Sequence, residues 1–197
     1  MMVKICGITN ADDALAAAAA GATALGFNFY PPSPRYIQPE EAARIIERLP
    51  REIWKVGVFV NASLEEIARI QQIAALDVAQ LHGDEPPDQL PPGIRVWKAF
   101  RANAAKLEAY RAEAFLLDTP SDVYGGTGRT FDWSMAAGTG RKIILAGGLD
   151  EDNVVEAIRL VRPWGVDDCS RLESAPGRKD HARTARFIQA ALSENLE

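Results

Sequence analysis

The sequence predicts a single-domain (β/α)8 barrel of parallel strands over residues 1–197, and three observations predict it. Short apolar runs begin near residues 3, 24, 54, 77, 95, 114, 142 and 165, recurring every 18 to 30 residues. Capped helical stretches fill many of the intervals, and strands alternating with helices imply right-handed parallel crossovers. Glycine-rich turns follow the sixth, seventh and eighth runs, where a barrel often binds phosphate. The alternative, a doubly wound open sheet, would carry G-x-G-x-x-G after its first strand. No such motif follows Cys6.

In order, Val3 to Cys6 reads as a strand, and Asn10 caps a helix over Ala11 to Ala20 that Gly21 stops. An apolar run from Ala24 to Phe29 leads into the proline-rich loop Tyr30 to Arg35. A helix from Pro39 to about Arg48 follows, with proline suited to its first position. Trp54 to Val60 is the third strand, and Ser63-Leu64-Glu65-Glu66 is a capping box for a helix ending near Ile73. Further strands fit Asp77 to Leu81, Arg95 to Phe100, Ala114 to Asp118, Lys142 to Ala146 and Gly165 to Asp167. Helices fit Ala104 to Tyr110, Asp152 to Leu160 and Asp180 to Leu192, with short ones near Asp88 and Asp132.

Composition narrows the function. At 47% hydrophobic and 25% charged residues, the chain is of the globular class rather than the disordered or fibrous one. Its longest apolar stretch, Ala14 to Ala20, is too short for a membrane span and is preceded by Asp12 and Asp13 rather than basic residues. No leader and a cytoplasmic location are expected, with no membrane partner. A net charge of −5 argues against a nucleic-acid surface, so an anionic substrate must be drawn in by local basic groups. Cys6 and Cys169 lack C-x-x-C spacing and read as reduced thiols. With two histidines and no cluster at ligand spacing, no metal site is expected.

In a barrel the carboxyl ends of the strands form the active face. Here they are Cys6, Phe29, Val60, His82, Phe100, Asp118, Gly147-Gly148 and the stretch Asp167-Asp168-Cys169. Cys6 after strand one and Asp118 after strand six can face one another and divide base and acid roles. A free thiol titrates at about 8.5 and a free carboxyl at about 3.9, so the site must move both toward neutrality. Equally open are a cysteine acting as a small buried hydrophobe and an aspartate capping its turn. Gly125-Gly126-Thr127-Gly128, Gly147-Gly148 and the loop Cys169 to Gly177 are candidate phosphate cradles, or turns. Arg35 reads as a two-pronged carboxylate clamp or a solvated surface arginine, and His82 as a proton shuttle or a satisfied rim histidine.

Taken together, these motifs resemble the phosphoribosylanthranilate isomerases, barrel enzymes of tryptophan biosynthesis. The resemblance runs through Lys4-Ile5-Cys6-Gly7-Ile8-Thr9, Ser33-Pro34-Arg35, Val56-Gly57-Val58-Phe59, Gln80-Leu81-His82-Gly83, Leu117-Asp118 and Gly125-Gly126-Thr127-Gly128. It continues in Phe131-Asp132-Trp133, Leu145-Ala146-Gly147-Gly148-Leu149 and Pro176-Gly177-Arg178-Lys179-Asp180. It implies an Amadori rearrangement of N-(5-phosphoribosyl)anthranilate without cofactor or metal, in a monomer or homodimer whose partner is a small phosphorylated substrate. Asp118 is then the general acid that opens the ribose ring, and Cys6 the base that takes the C2′ proton. Arg35 holds the anthranilate carboxylate, His82 lines the substrate, and backbone amides around Gly126, Gly147, Gly148 and Ser170 hold the phosphate.

One loop departs from the family pattern. Where the family usually reads Asp-Val-Ser-Ser-Gly-Val-Glu, this chain has Asp167-Asp168-Cys169-Ser170-Arg171-Leu172-Glu173. Arg171 in a glycine position is expected to be unable to adopt positive φ cheaply, and Asp168 adds negative charge beside a phosphate. Weakened phosphate binding follows, unless Arg171 turns inward as a compensating cation. Cys169 ends the strand that neighbours strand one, so Cys6 and Cys169 are expected to come within bridging distance. Two other readings compete. One is a histidine-pathway sugar-phosphate isomerase, which typically uses two aspartates and is disfavoured by Cys6. The other is a weakened barrel that only binds phosphorylated ligands.

Overall fold

Closure of the barrel is what sets the site, and it occurs between the first and last strands. The computed structural model describes residues 1–101, 104–118, 136 and 138–194. Within it, β1 (Met2–Ile5), β2 (Ala24–Asn28), β3 (Trp54–Phe59), β4 (Val78–Leu81), β5 (Arg95–Arg101), β6 (Ala114–Asp118), β7 (Ile143–Ala146) and β8 (Gly165–Asp168) pair in chain order, all parallel. β8 then pairs with β1 in the register Met2 with Gly165, Lys4 with Asp167 and Ile5 with Asp168. The predicted fold class is the observed one.

Local chemistry sets the helix ends. In α1 (Ala11–Ala20) the Asn10 side chain accepts from the Asp13 amide at 2.9 Å, and Gly21 takes the left-handed conformation at φ 105° that glycine adopts without steric penalty. α2 (Pro39–Ile46) starts on its proline, and Ser63 caps α3 (Leu64–Ala74) by accepting from the Glu66 amide at 3.1 Å. α4 (Val154–Val161) follows β7, and Asp180 caps α5 (His181–Ser193) through the Arg183 amide at 2.9 Å. Asp13 does more than face its cap. It is buried, accepts from the Lys179 amide at 2.8 Å and lies 2.7 Å from His181 Nε2, tying α1 to the start of α5.

Three expectations change. The short helix near Asp88 is a turn, with Gln89 N–H donating to the Pro86 carbonyl, because consecutive prolines remove the donors a helix would need. Ala104 to Ala109 is a 3-10 helix. The stretch read only as a loop, Cys169 to Gly177, leads into a short antiparallel hairpin, β9 (Glu173–Ala175) with β10 (Arg178–Lys179). The segment near Asp132 lies outside the described residues.

Strand alternation sorts the core into two parts. Met2, Ala24, Val56, Val78, Trp97, Ala99, Ala114, Leu116, Ile144 and Ala146 fill the barrel, while the larger cluster lies between strands and helices. The rings of Trp54, Trp97 and Trp164 pack with centroids 5.7 to 6.1 Å apart and close the amino-terminal end. No helix among the described residues is long and apolar enough to cross a membrane.

The β8–β1 seam has no room to spare: a Cβ on Gly165 would sit 2.8 Å from the Met2 carbonyl oxygen and 2.9 Å from Met2 Cβ. Gly165→Ala is therefore expected to cost about 1–3 kcal/mol of stability through overpacking. Urea unfolding measures this, and an unchanged midpoint would contradict the tight seam.

Candidate active site

Continuing the β8–β1 register past its last pair stacks four polar side chains at the carboxyl end of the barrel. Lys4 lies opposite Asp167, and two residues farther along each strand stand Cys6 and Cys169. The Cys6 amide donates to the Asp168 carbonyl at 3.0 Å, holding the two chains together beyond the strands. The Cys6 and Cys169 thiols stand side by side at the ends of adjoining strands, close enough for each to shift the other's ionisation. Both cysteines are half-buried and unbridged. Gly26 on β2 makes space for this arrangement, because a Cβ there would come within 2.8 Å of Cys6 Sγ.

The electrostatics of the pair are asymmetric. The Cys169 thiol is the largest influence holding Cys6 well below the usual thiol range; burial opposes it, and Lys4 and Lys179 assist. Cys169 moves the other way, pushed up by Cys6 and by burial. The two thiols thus titrate as a pair, with Cys6 the one favoured toward the thiolate. Lys4 is completely buried, and burial alone would strip its proton. Asp167, with Oδ1 at 2.9 Å, and Cys6 keep it charged. Burial raises Asp167 itself to about 6.

Arg35 is held from the loop after β2 across to β9. Its Nε and Nη2 donate to Glu173 at 2.8 and 2.7 Å, a two-pronged pair with a protein carboxylate. Glu173 also accepts from Lys179 Nζ at 3.2 Å, from the Gly177 amide at 3.3 Å and from Cys169 Sγ at 3.7 Å. Burial works against its ionisation, but Arg35 and Lys179 overcome this and hold its carboxyl below the usual range. The guanidinium keeps further N–H groups on Nη1 and Nη2.

Asp118 ends β6 on the same rim, with Oδ2 3.6 Å from His82 Nε2. His82 stands on a loop braced from beneath by Lys98, whose buried Nζ donates to Gly83 O at 2.7 Å, Glu85 Oε2 at 3.1 Å and Leu81 O at 3.3 Å. Glu85 returns the contact by accepting from the Asn61 and Gly83 amides.

After β7, Gly147 and Gly148 adopt φ of 89° and 68°, which a side chain would strain. After β8, Ser170 to Leu172 make one 3-10 turn. Arg171 is absent from the non-glycine residues with positive φ, so the expected strain does not arise: the turn bypasses the left-handed conformation. Its guanidinium lies 4.0 Å from Asp150 Oδ2, spanning the β7 and β8 loops. Asp168 accepts from the Arg171 amide at 3.1 Å, and burial followed by the charge of Asp167 pushes its carboxyl up to about 8. Gly126 and its neighbours Gly125 to Gly128 lie outside the described residues, as do Phe131 to Trp133.

The structure thus brings Cys6, Cys169, Arg35, Asp118, His82, Gly147, Gly148, Ser170 and Arg171 to one end of the barrel. Sequence reasoning missed Lys4, Glu173 and Lys179 as parts of it, though all three stand inside quoted motifs. A groove of about 750 Å³ lined by Pro87, Leu90, Ile94, Arg95 and Arg111 lies on the flank, toward the opposite end of β5. It holds none of these groups.

A family model described as N-(5′-phosphoribosyl)anthranilate (PRA) isomerase matches residues 3–190. The N-(5′-phosphoribosyl)anthranilate isomerase of Solibacter usitatus is 54% identical over 196 residues, covering 97% of this chain and 97% of its own length. The crystal structure of phosphoribosyl anthranilate isomerase from Thermotoga maritima superposes with a TM-score of 0.89 at 42% identity, covering 98% of this chain and 100% of that one. Another such isomerase, solved in complex with reduced 1-(o-carboxyphenylamino)-1-deoxyribulose 5-phosphate, gives a TM-score of 0.88 at 40% identity, with 98% and 100% covered.

Two neighbouring thiols, one of them favoured toward the thiolate, are set up for oxidation. A peroxide should oxidise Cys6 to the sulfenic acid with loss of one water; the Cys169 thiol then displaces a second water and forms the bridge. Free-thiol titration after peroxide treatment should lose both cysteines together and regain them with dithiothreitol, while Cys169→Ser forms no intramolecular bridge. Two titratable thiols persisting after treatment would sink the expectation.

Proposed function

This chain belongs to the N-(5′-phosphoribosyl)anthranilate isomerase family, and from that premise we propose how its barrel mouth does the family's work. The protein catalyses the Amadori rearrangement of N-(5-phosphoribosyl)anthranilate to 1-(2-carboxyphenylamino)-1-deoxyribulose 5-phosphate in tryptophan biosynthesis. In our reading Asp118 gives a proton to the ribose ring oxygen, the C1′–O bond opens, and an imine forms between the sugar and the anthranilate nitrogen. Cys6 then removes the C2′ proton. The electron pair of that C–H bond becomes the C1′–C2′ double bond of an enolamine, which tautomerises to the aminoketose.

The observation that carries this assignment is the environment of Cys6. A base needs a thiolate at neutral pH, and the Cys169 thiol beside the sulfur with Lys4 beneath favours one. Arg35 meets the substrate carboxylate with the N–H groups left over from Glu173, and His82 stands beside the acid. The phosphate lies over the β7 and β8 loops, against backbone amides of Gly147, Gly148 and Ser170, with Gly126 completing the set and Arg171 as a nearby cation. Two cysteines without C-x-x-C spacing suit a reducing compartment, and we place the enzyme in the cytoplasm. The reading includes no nucleic-acid partner, cofactor or metal, and treats residues 1–197 as a single catalytic domain, active as monomer or homodimer.

Following substrate consumption by fluorescence, Cys6→Ser and Asp118→Asn should each lower kcat by roughly 10²- to 10⁴-fold, the usual worth of a positioned acid or base, with KM little changed. A variant retaining wild-type kcat would remove that residue from the mechanism.

Asp168 occupies the amide of Arg171 that a phosphate would otherwise claim. The double replacement Asp168→Val/Arg171→Gly, which leaves Cys169 in place, should therefore lower KM by about threefold or more, the value of one charge-assisted hydrogen bond at the low end. Because Asp168 is an acid raised to about 8, it is mostly protonated at neutral pH and gains its charge as pH rises through that value. The KM advantage of the variant should widen above pH ~8. An unchanged or raised KM would count against the competition.

A further inference from the structure

One buried charge lies beneath the mouth rather than in it. Lys4 is completely buried and pairs with Asp167, 163 residues farther along the chain. Its neighbours inside the barrel are mostly apolar. A buried ion pair often contributes no more to stability than apolar residues of the same volume, so packing does not account for it.

Placement does. Lys4 and Cys6 are two residues apart along one strand direction and face the same side. A Cβ on Gly26 would meet Cys6 Sγ at 2.8 Å and Lys4 Cε at 3.1 Å, so the sulfur and the lysine tail lie over the same glycine. The Lys4 ammonium donates to Asp167 Oδ1 at 2.9 Å, and from beneath Cys6 its charge favours the thiolate. An ammonium can donate three bonds, and Asp167 fixes its direction by accepting one of them.

We propose that Lys4, anchored by Asp167, is a positioning residue that keeps Cys6 in its charged form and aimed into the barrel mouth for proton abstraction. The inference rests on Cys6 being the base. Lys4 touches neither reacting carbon nor leaving oxygen; it acts through the sulfur. Asp167 is there to hold the ammonium and by itself opposes a charge on Cys6. The other groups facing the sulfur are Cys169 beside it, Lys179 and Glu173 from the hairpin, and Arg35 from the β2 loop, with Asp118 acting on Asp167 from β6. Of the cations, Arg35 and Lys179 are each within hydrogen-bond distance of Glu173. Lys4, also paired, differs in place: it stands on β1 two residues before Cys6, with its tail over the glycine that faces the sulfur.

The test compares wild type, Lys4→Met and the charge-neutral pair Lys4→Met/Asp167→Asn, the last carrying no stranded carboxylate should the single variant fail to fold. The rate of Cys6 alkylation by iodoacetamide is read against pH by mass spectrometry of the Cys6 peptide. In either folded variant the alkylation midpoint should rise by about one pH unit or more, which lowers the thiolate fraction by up to about tenfold at pH values below the midpoint. kcat should fall by a similar factor with KM unchanged, and raising the pH to about 9 should recover most of it, which loss of packing would not allow. An unchanged Cys6 midpoint in the folded variants overturns the proposal. Full activity in Cys6→Ser would instead overturn the base assignment, a separate failure.

Discussion

The pairing of β8 with β1 is the constraint on which the mouth of this barrel depends. Because Lys4 stands opposite Asp167 in that register, the next inward pair is two cysteines, and neither stacked pair survives a slip of one residue. A one-residue shift of β1 would turn Lys4 toward the helices and leave Asp167 facing an aliphatic Val3 or Ile5. The buried charges therefore specify register as well as chemistry: breaking the pair by removing one partner costs on the order of 3–5 kcal/mol, because the other is stranded. Gly165 and Gly26, each with no room for a Cβ, let the seam close this tightly.

Around that seam, Glu173 organises the cations. It gathers Arg35 from the β2 loop, Lys179 from β10 and the Cys169 thiol onto one buried carboxylate. The hairpin after β8 serves to return Lys179 to this point, where its Nζ also donates to the Cys169 carbonyl at 2.9 Å. An arginine in a loop would ordinarily sample many rotamers; locked by two bonds, it offers its remaining donors in one direction. The cost of ordering the clamp is met in the folded protein, before any substrate arrives.

Much of this was legible in the chain. Periodicity and capping located the eight strands and most of the helices, because apolar alternation and caps are local properties. Cys6 and Asp118 stood out because they end strands. Lys4 did not, since a lysine one turn of the pleat before a strand end reads as solvent-facing until its partner 163 residues away is known. Glu173 was hidden for the same reason: its partners come from three separate segments. Arg171 was misread in the other direction. A glycine position in a family pattern suggested a left-handed backbone, yet this chain builds a 3-10 turn there and has no need of one.

The same turn shows what the altered loop trades. The mouth must receive a carboxylate and a phosphate in a chain of net charge −5. Its cations are nonetheless largely engaged: Lys4 by Asp167, Lys179 and Arg35 by Glu173, and Arg171 beside Asp150. On the placement proposed above, phosphate binding therefore leans on backbone dipoles, which carry no counter-charge to be displaced. Asp168 intrudes on that supply, taking the Arg171 amide for itself. Burial keeps the intruder largely protonated at neutral pH, so it competes as a hydrogen-bond acceptor more than as an anion. With the phosphate placed as proposed, the loop tolerates an aspartate beside it because the same burial that makes the aspartate's charge expensive also suppresses it.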